Sequence, residues 1–407
     1  MALVTKNFSD IITFTRASTG TFFNSAGVLT SAAINDPRFD YNPSTLAAQG
    51  LLIEESRTNS IRNNTMVGAV AGTPGTLPTT WQLLAPLGVT RRITLPIVSG
   101  VQCIDINFSG TTTSNDPIEI TPDGLATVAS NGQSWSGSAW VQIVQDDAAI
   151  TSTSYETWLF DSVNAFLSTG AANNFYSTRT SFTRRIISQT LANASVAGIK
   201  SYFKTNTIPS GSVLNFTLRI GLPQLELGAF ATSVIPTTTT ALTRAADVAS
   251  VNTLSPWFNA TEGTLYGEFA VTGYRSSGAF PSTAALSDST GNNLIALNST
   301  NVGANLYPYG EVVASGTPQA GFYAASGSGF GIGTVRKSAI AYATNDFAFT
   351  TQGLSVQTDP SGTVPTINRL YMGVGANGTT LFLNGYLRRI SYYPRKLSSA
   401  ELQAITA

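Results

Sequence analysis

"SVLNFTLRIGLPQLEL", residues 212–227, changes character at almost every step. Leu214, Phe216, Leu218 and Ile220 are apolar, and Asn215, Thr217 and Arg219 between them are polar. A period of two puts alternate side chains on opposite faces of an extended chain, so the stretch predicts a strand with one face buried. Short apolar runs, many of them alternating in the same way, recur in "RRITLPIV" (91–98), "VQCIDINF" (101–108), "SGSAWVQIV" (136–144), "ETWLFD" (156–161), "RRIISQTL" (184–191), "TLYGEFAVTGY" (264–274), "SAIAYATNDFAF" (338–349) and "TLFLNGYLRRISYY" (380–393). Gly, Pro, Asn, Ser and Thr separate these runs, and Asn131-Gly132, Asn377-Gly378 and Asn384-Gly385 mark tight turns. Helical spacing is confined to "STLAAQG" (44–50) and "SSAELQAIT" (398–406), the second with Ser398 and Glu401 as a capping box. The chain is therefore expected to be all-β: two antiparallel β-sandwiches of jelly-roll type after a small N-terminal β module.

Composition narrows the chemistry. The chain has 407 residues, 42% hydrophobic and 11% charged, with 22 basic against 22 acidic side chains. Such balance offers no basic excess for nucleic acid or an anionic membrane. There is no histidine, which removes His-based acid–base pairs and His-ligated zinc. Cys103 is the single cysteine, so no intrachain disulfide forms, and its strand context predicts a core thiol. No secretion signal opens "MALVTKNFSD" and no run reaches the roughly 18 apolar residues of a membrane span, so a soluble protein made in the cytoplasm is expected.

Two phrases nearly repeat: "FTRAST" at 14–19 and "LTRAAD" at 242–247. If both are strands, the chain builds a sandwich between them and returns to pair beside its own start. Residues 1–60, completed by 237–253, would form a lead-in module; 61–236 a first sandwich; 254–407 a second. The Pro-Thr-rich stretch at 235–243 reads as an extended connector.

Residues 12–60 resemble a module of tailed-bacteriophage structural proteins. The resemblance rests on Arg16-Ala17-Ser18, Gly27-Val28-Leu29, "PRFDY" (37–41) and "GLLIEESRTN" (50–59), with "PQLELGAFATSVIPTTTTALTRAADV" (223–248) similar to the closing segment of those proteins. The middle region resembles a carbohydrate-binding-module sandwich, and "NRLYMGVGANGTTLFLNGYLRRISYYPRKLSSAELQAI" (368–405) resembles the end of concanavalin-A-like or laminin-G-like jelly rolls. What this implies is a non-catalytic virion fibre or receptor-binding protein on the tail or capsid exterior. It would attach to other virion proteins and to host-surface glycan as a homotrimer, without nucleic acid, membrane insertion or cofactor. A purely structural virion component and, less favoured, a polysaccharide depolymerase are the alternatives.

Candidate sites follow from residue type. Sugar rings pack on aromatic faces ringed by amides and hydroxyls. Trp140 with Gln142, Tyr155 with Trp158, and Tyr307 and Tyr309 beside Asn305 are the glycan-binding candidates, the last set in an expected loop held out of a central strand by Pro308. Within the lead-in module, Arg16, Arg38, Asp40, Glu54, Glu55, Arg57 and Arg244 are expected to be structural, Glu54 and Glu55 pairing with Arg57 or Arg16. "NDPRFDYN" (35–42) could hold Ca²⁺ through Asn35, Asp36, Asp40 and Asn42, although a turn stabilised by these side chains is the plainer reading. "GVGANG" (373–378) fits a dinucleotide-loop pattern, but strand alternation follows where a helix is needed. "GSGFGIG" (327–333) suits a strand crowded by a neighbour. Asp146 and Asp147 are adjacent and read as a turn, and neighbours on a strand point to opposite faces, so neither pair of adjacent acids can flank one glycosidic bond.

Overall fold

The computed structural model describes residues 7–178, 180–274, 280–303, 305–323 and 328–407. These residues are almost all strand and turn, in two compact units. One unit comprises 28–30 and 57–244; the other comprises 1–27, 31–56 and 245–407.

The 57–244 unit is a sandwich of two six-stranded antiparallel sheets. One sheet runs Thr183–Thr190, Ser134–Gln145, Val213–Leu227, Val101–Thr111, Val89–Thr94, with Ile97–Val98 paired to Val101–Thr111. The other runs Phe166–Asn174, Thr153–Phe160, Gly198–Thr205, Glu119–Thr121, Gln82–Leu84, with Thr127–Val128 paired to Gly198–Thr205. Alternation decides what lies between the sheets: Ile104, Ile106 and Phe108 meet Leu214, Phe216, Leu218 and Ile220, with Ala139, Val141 and Ile143 beside them. Cys103 is buried, and burial pushes its thiol up to about 12, well out of the reactive range. The Pro-Thr stretch is fastened to this unit: Ile235 and Thr237 are buried, and Thr237 Oγ1 donates to the Ile61 carbonyl at 2.6 Å.

The other unit holds two seven-stranded antiparallel sheets. The first runs Thr13–Thr15, Val248–Val251, Arg369–Met372, Ser282–Ser287, Leu294–Val302, Asn305–Ala314, Thr317–Tyr323. The second runs Gln357–Asp359, Asp346–Thr351, Val335–Ala343, Glu262–Val271, Gly385–Tyr393, Ala48–Ile53, Phe39–Tyr41. Phe14, Ile53, Leu265, Phe269, Leu286, Leu297, Ile340 and Phe349 share its core. Lead-in strands are thus integral members of the C-terminal sheets. Thr13–Thr15 lies directly against Val248–Val251, and Arg57–Asn59 against Leu242–Arg244 within the other unit. The chain does return beside its own start, bracketing the 57–244 sandwich.

The glycine of "GLLIEE" has a specific cause. Gly50 has φ +119 at a register shift, and a Cβ there would lie 2.3 Å from the Leu387 carbonyl of the adjoining strand. Other local expectations change. Residues 44–47 form a turn in place of a helix: Asn42 Oδ1 accepts from the Ser44 and Thr45 amides, and Leu46 takes φ 58. At 398–406 the helix forms, spanning Ser399–Thr406 with the Ser398–Glu401 capping box in place. Asn384 and Gly385 do not close a hairpin, because 369–372 and 385–393 belong to different sheets. In "GSGFGIG", Gly327 lies outside the described residues; the rest makes only a bridge at Phe330 to Leu306 before a turn, though a Cβ on Gly329 would press within 2.9 Å of the Tyr307 ring. "GVGANG" closes on itself, with the Gly378 amide donating to the Gly375 carbonyl at 2.8 Å.

Candidate functional site

The outer face of one sheet of the 57–244 sandwich gathers aromatic and charged side chains. Along Gly198–Thr205, Ile199, Ser201, Phe203 and Thr205 point inward and are buried, which puts Lys200, Tyr202 and Lys204 on the other face, where Tyr202 and Lys204 are half-buried and Lys200 is covered. Along Thr153–Phe160, Tyr155, Thr157 and Leu159 point inward, which puts Ser154, Glu156, Trp158 and Phe160 on the other face, where Ser154 and Trp158 are half-buried and Glu156 and Phe160 are covered by their neighbours. Antiparallel register sets Trp158 opposite Lys200 and Glu156 opposite Tyr202, so Trp158 and Tyr202 are diagonal neighbours. Their rings stack at 4.0 Å with an interplanar angle of 20°.

This pair is held in place. Trp158 Nε1 donates to Glu156 Oε2 at 2.8 Å, and Ser154 Oγ donates to Glu156 Oε1. Lys204 Nζ lies 4.9 Å from the Trp158 ring and 2.9 Å from Glu119 Oε1. Lys200 Nζ lies 4.5 Å over the Phe160 ring, and burial lowers the pKa of its ammonium against the pull of Asp123. Beside Tyr202 an open recess of about 480 Å³ is lined by Gln82, Leu83, Leu84, Glu119, Thr121 and Tyr202. One aromatic wall, an amide, a hydroxyl and a carboxylate around an open hollow can cradle a ring bearing both C–H faces and hydroxyls.

The other candidates of the first sandwich separate. Tyr155 is fully buried, stacked on Phe203 at 4.9 Å, and is a core residue that no ligand reaches. It lies three positions from Trp158, hence on the opposite face. Trp140 is also buried, tilted against Phe182 at 5.4 Å, so it is not an exposed platform. Gln142 is spent within the sheet, donating to the Thr180 carbonyl and accepting from Arg219. Of this group only Trp158 bears on the recess, through its stack on Tyr202, which lines it.

In the other unit the expected loop at 305–311 is part of the strand Asn305–Ala314. Leu306, Pro308, Gly310 and Val312 are buried, and Asn305, Tyr307, Tyr309 and Glu311 face outward. Pro308 pairs in register with Ser299, and the described ladder to Thr317–Tyr323 begins only at the Tyr309–Tyr323 pair. Its missing N–H therefore falls beyond that ladder.

The lead-in residues build a buried ion cluster. Arg16 Nη1 reaches Asp247 Oδ1 at 3.1 Å and the Asp36 carbonyl at 3.0 Å, while Nη2 donates to the Ala33 carbonyl at 2.6 Å. Arg38 pairs with Glu54 at 2.9 Å and with Asp247. Burial pulls the Arg38 pKa down, but the two carboxylates outweigh it and hold it above the ordinary value. Glu54 thus pairs with Arg38. Glu55 holds Asn384, its amide donating to Asn384 Oδ1 at 2.9 Å. Arg57 donates to the Leu227 carbonyl and lies 4.6 Å over the Phe230 ring; a Cβ on Gly228 would collide with its guanidinium. Arg244 is buried opposite Arg57.

The side-chain oxygens of Asn35, Asp40 and Asn42 accept hydrogen bonds from within the chain. Asn35 Oδ1 accepts from the Arg16 amide, and Asp40 accepts from the Phe23 amide at 2.6 Å and from Tyr386 Oη at 2.8 Å. Burial raises the Asp40 pKa against those hydrogen bonds. Among the described residues no group of three or more acidic or thiol side chains is placed to hold a metal ion. Asp147 caps a turn, accepting from the Ala149 and Asn215 amides.

Tyr202, Lys204, Glu119 and Gln82 were not singled out in the sequence. The alternating "KSYFKT" (200–205) carries the signal for the first two; Glu119 and Gln82 join through cross-strand register, which no local pattern records.

No family model and no curated protein matches the chain. Among solved structures, the CBM40 of a Ruminococcus gnavus IT-sialidase is 17% identical over 37% of this chain and 84% of that one, with a TM-score of 0.30. The heptameric SAP-like pentraxin of Limulus polyphemus is 10% identical over 38% and 79%, with a TM-score of 0.29. Domains LG4-5 of the mouse laminin alpha1 chain are 11% identical over 76% and 94%, with a TM-score of 0.26. At these scores the likenesses carry no argument about function.

Proposed function

We propose that this chain is a non-catalytic surface protein of a tailed bacteriophage, a fibre or receptor-binding component, that holds host-surface glycan on the outer faces of its sandwiches. The observation that carries the binding role is the stacked Trp158–Tyr202 pair beside the recess lined by Gln82, Glu119 and Thr121. Trp158 fixes the back of Tyr202, so little side-chain freedom is lost when a sugar packs there. The virion setting is supported by the resemblance of residues 12–60 and 223–248 to phage structural modules. A shallow single site binds weakly, and several copies on one particle raise the effective affinity steeply, which favours a homotrimer.

The test is a glycan array probed with the full chain and with Tyr202→Ala. Specific glycans held by the parent and lost by Tyr202→Ala support the reading. An array with no signal, with the protein folded and clustered to raise avidity, points to a purely structural virion role. Mass by light scattering at micromolar concentration tests the trimer, and a monomer would contradict it.

A further inference from the structure

A second aromatic surface lies in the other unit and has a different polar floor. On the outer face of the sheet carrying Asn305–Ala314, the Tyr309 and Tyr323 rings lie 4.7 Å apart, and Tyr323 is 65% exposed. Phe280 adds a third ring 6.3 Å from Tyr309. Between the strands sits Glu311. Tyr309 Oη donates to Glu311 Oε2 at 3.3 Å and Asn298 Nδ2 donates to Oε1 at 2.8 Å. The residue paired opposite Glu311 is Gly321, where an added Cβ would meet nothing nearer than Tyr309 Oη at 3.6 Å. Gly321 therefore puts no side chain over the carboxylate from the position directly opposite.

At Glu311 and at Asn298 Oδ1 the unfilled hydrogen-bonding capacity is acceptor. A carboxylate offers about four lone-pair positions, and Tyr309 and Asn298 occupy two. Asn298 is 4% exposed and its Oδ1 has no partner among the described residues. An unmet buried acceptor is costly, so a ligand that brings donors gains there. A ligand carboxylate would instead meet Glu311, like charge against like charge at a partly desolvated site.

Resting on the glycan-binding reading above, we infer that Tyr309, Tyr323, Glu311 and Asn298 form a second sugar site that takes neutral sugars through adjacent hydroxyls and rejects carboxylated ones. Burial raises the Glu311 pKa against its two hydrogen bonds, as expected of a carboxylate kept short of donors. In the 57–244 sandwich the carboxylate at the recess, Glu119, is instead paired with Lys204 at 2.9 Å, so the two faces differ in how their carboxylate is balanced.

The experiment is an array of neutral hexose and N-acetylhexosamine oligosaccharides beside their uronic-acid counterparts, probed with the full chain, Tyr202→Ala, Tyr323→Ala and Gly321→Val. The expected result is a set of neutral glycans kept by Tyr202→Ala and weakened roughly five- to tenfold by Tyr323→Ala, the scale of losing one aromatic contact. Gly321→Val, which keeps every polar group but fills the space over Glu311, should weaken the same set. Two results overturn the inference while leaving the Tyr202 site standing: signals that neither Tyr323→Ala nor Gly321→Val changes, or a Tyr323-dependent set rich in uronic acids. An array on which the parent holds nothing overturns both. Circular dichroism melts of Tyr323→Ala and Gly321→Val separate lost binding from lost fold.

Discussion

The ion cluster around Asp247 and the aromatic face around Tyr202 use the same side-chain chemistry and are finished in opposite ways. At Asp247, two arginines and two carboxylates are sealed from water and ringed by backbone carbonyls, so charge is consumed by charge. At Tyr202, the lysines and Glu119 lie along a stacked aromatic pair at the edge of an open recess. A buried network whose polar atoms find partners holds chain segments together. An exposed set backed by rigid rings is available for a ligand. The difference teaches where to look for function here: not at the densest cluster of charge, but where polar groups are left with capacity.

The comparison breaks most sharply at Asp247. Asp247→Asn leaves Arg16 and Arg38 without their shared countercharge, and should cost about 3–5 kcal/mol, as breaking buried pairs does. Denaturant unfolding measures it; a loss below about 1 kcal/mol would mean that the cluster is not structural. Next, Tyr202→Ala should weaken glycan binding about tenfold or more while costing less stability than Asp247→Asn, because the ring is half-buried on an outer sheet face and not part of the core. Titration beside a melt separates the two quantities.

Smaller effects sharpen the contrast. Glu311 has a raised folded-state pKa, so its contribution to stability is fully present below the unfolded carboxyl pKa and is lost as pH rises through the folded value. Glu311→Gln should therefore equal or exceed the parent in stability at pH 7, with the gap closing as pH falls to 4, in unfolding curves taken at both pH values. Lower stability of Glu311→Gln at pH 7 would assign the carboxylate a structural role. The least change is expected for Lys204→Met. Its pair with Glu119 is partly exposed at 34% and 15%, and such pairs contribute about 0–1 kcal/mol. The same chemistry that is indispensable at Asp247 should be nearly silent here in a thermal melt.

Much of this was legible in the sequence, and the failures have physical causes. Alternation located the strands at 213–227 and 101–111, because burial of one face imposes a period of two. The strands of the two Thr-Arg-Ala phrases each pair with a segment other than their repeat, 13–15 with 248–250 and 242–244 with 57–59, and Asp247, the acid that closes the cluster, ends the second phrase. Its partner Arg16 lies 231 positions away, so the pairing itself is written in no local pattern. Pro308 misled toward a loop, since whether a proline is tolerated depends on where the neighbouring strand ends. Tyr155 misled because aromatic type alone does not give the face, although its odd spacing from Trp158 already separated the two. Glu119 and Gln82 reach Tyr202 only through register, which depends on the whole sheet.

The most direct test of the central claim, that the outer sheet faces bind while the buried charges only hold the fold, is a glycan array run with the full chain and Tyr202→Ala below the melting temperature of both. The account predicts defined glycans on the parent and their loss in the folded variant. An equal signal from both proteins, or none from a folded parent, would contradict it.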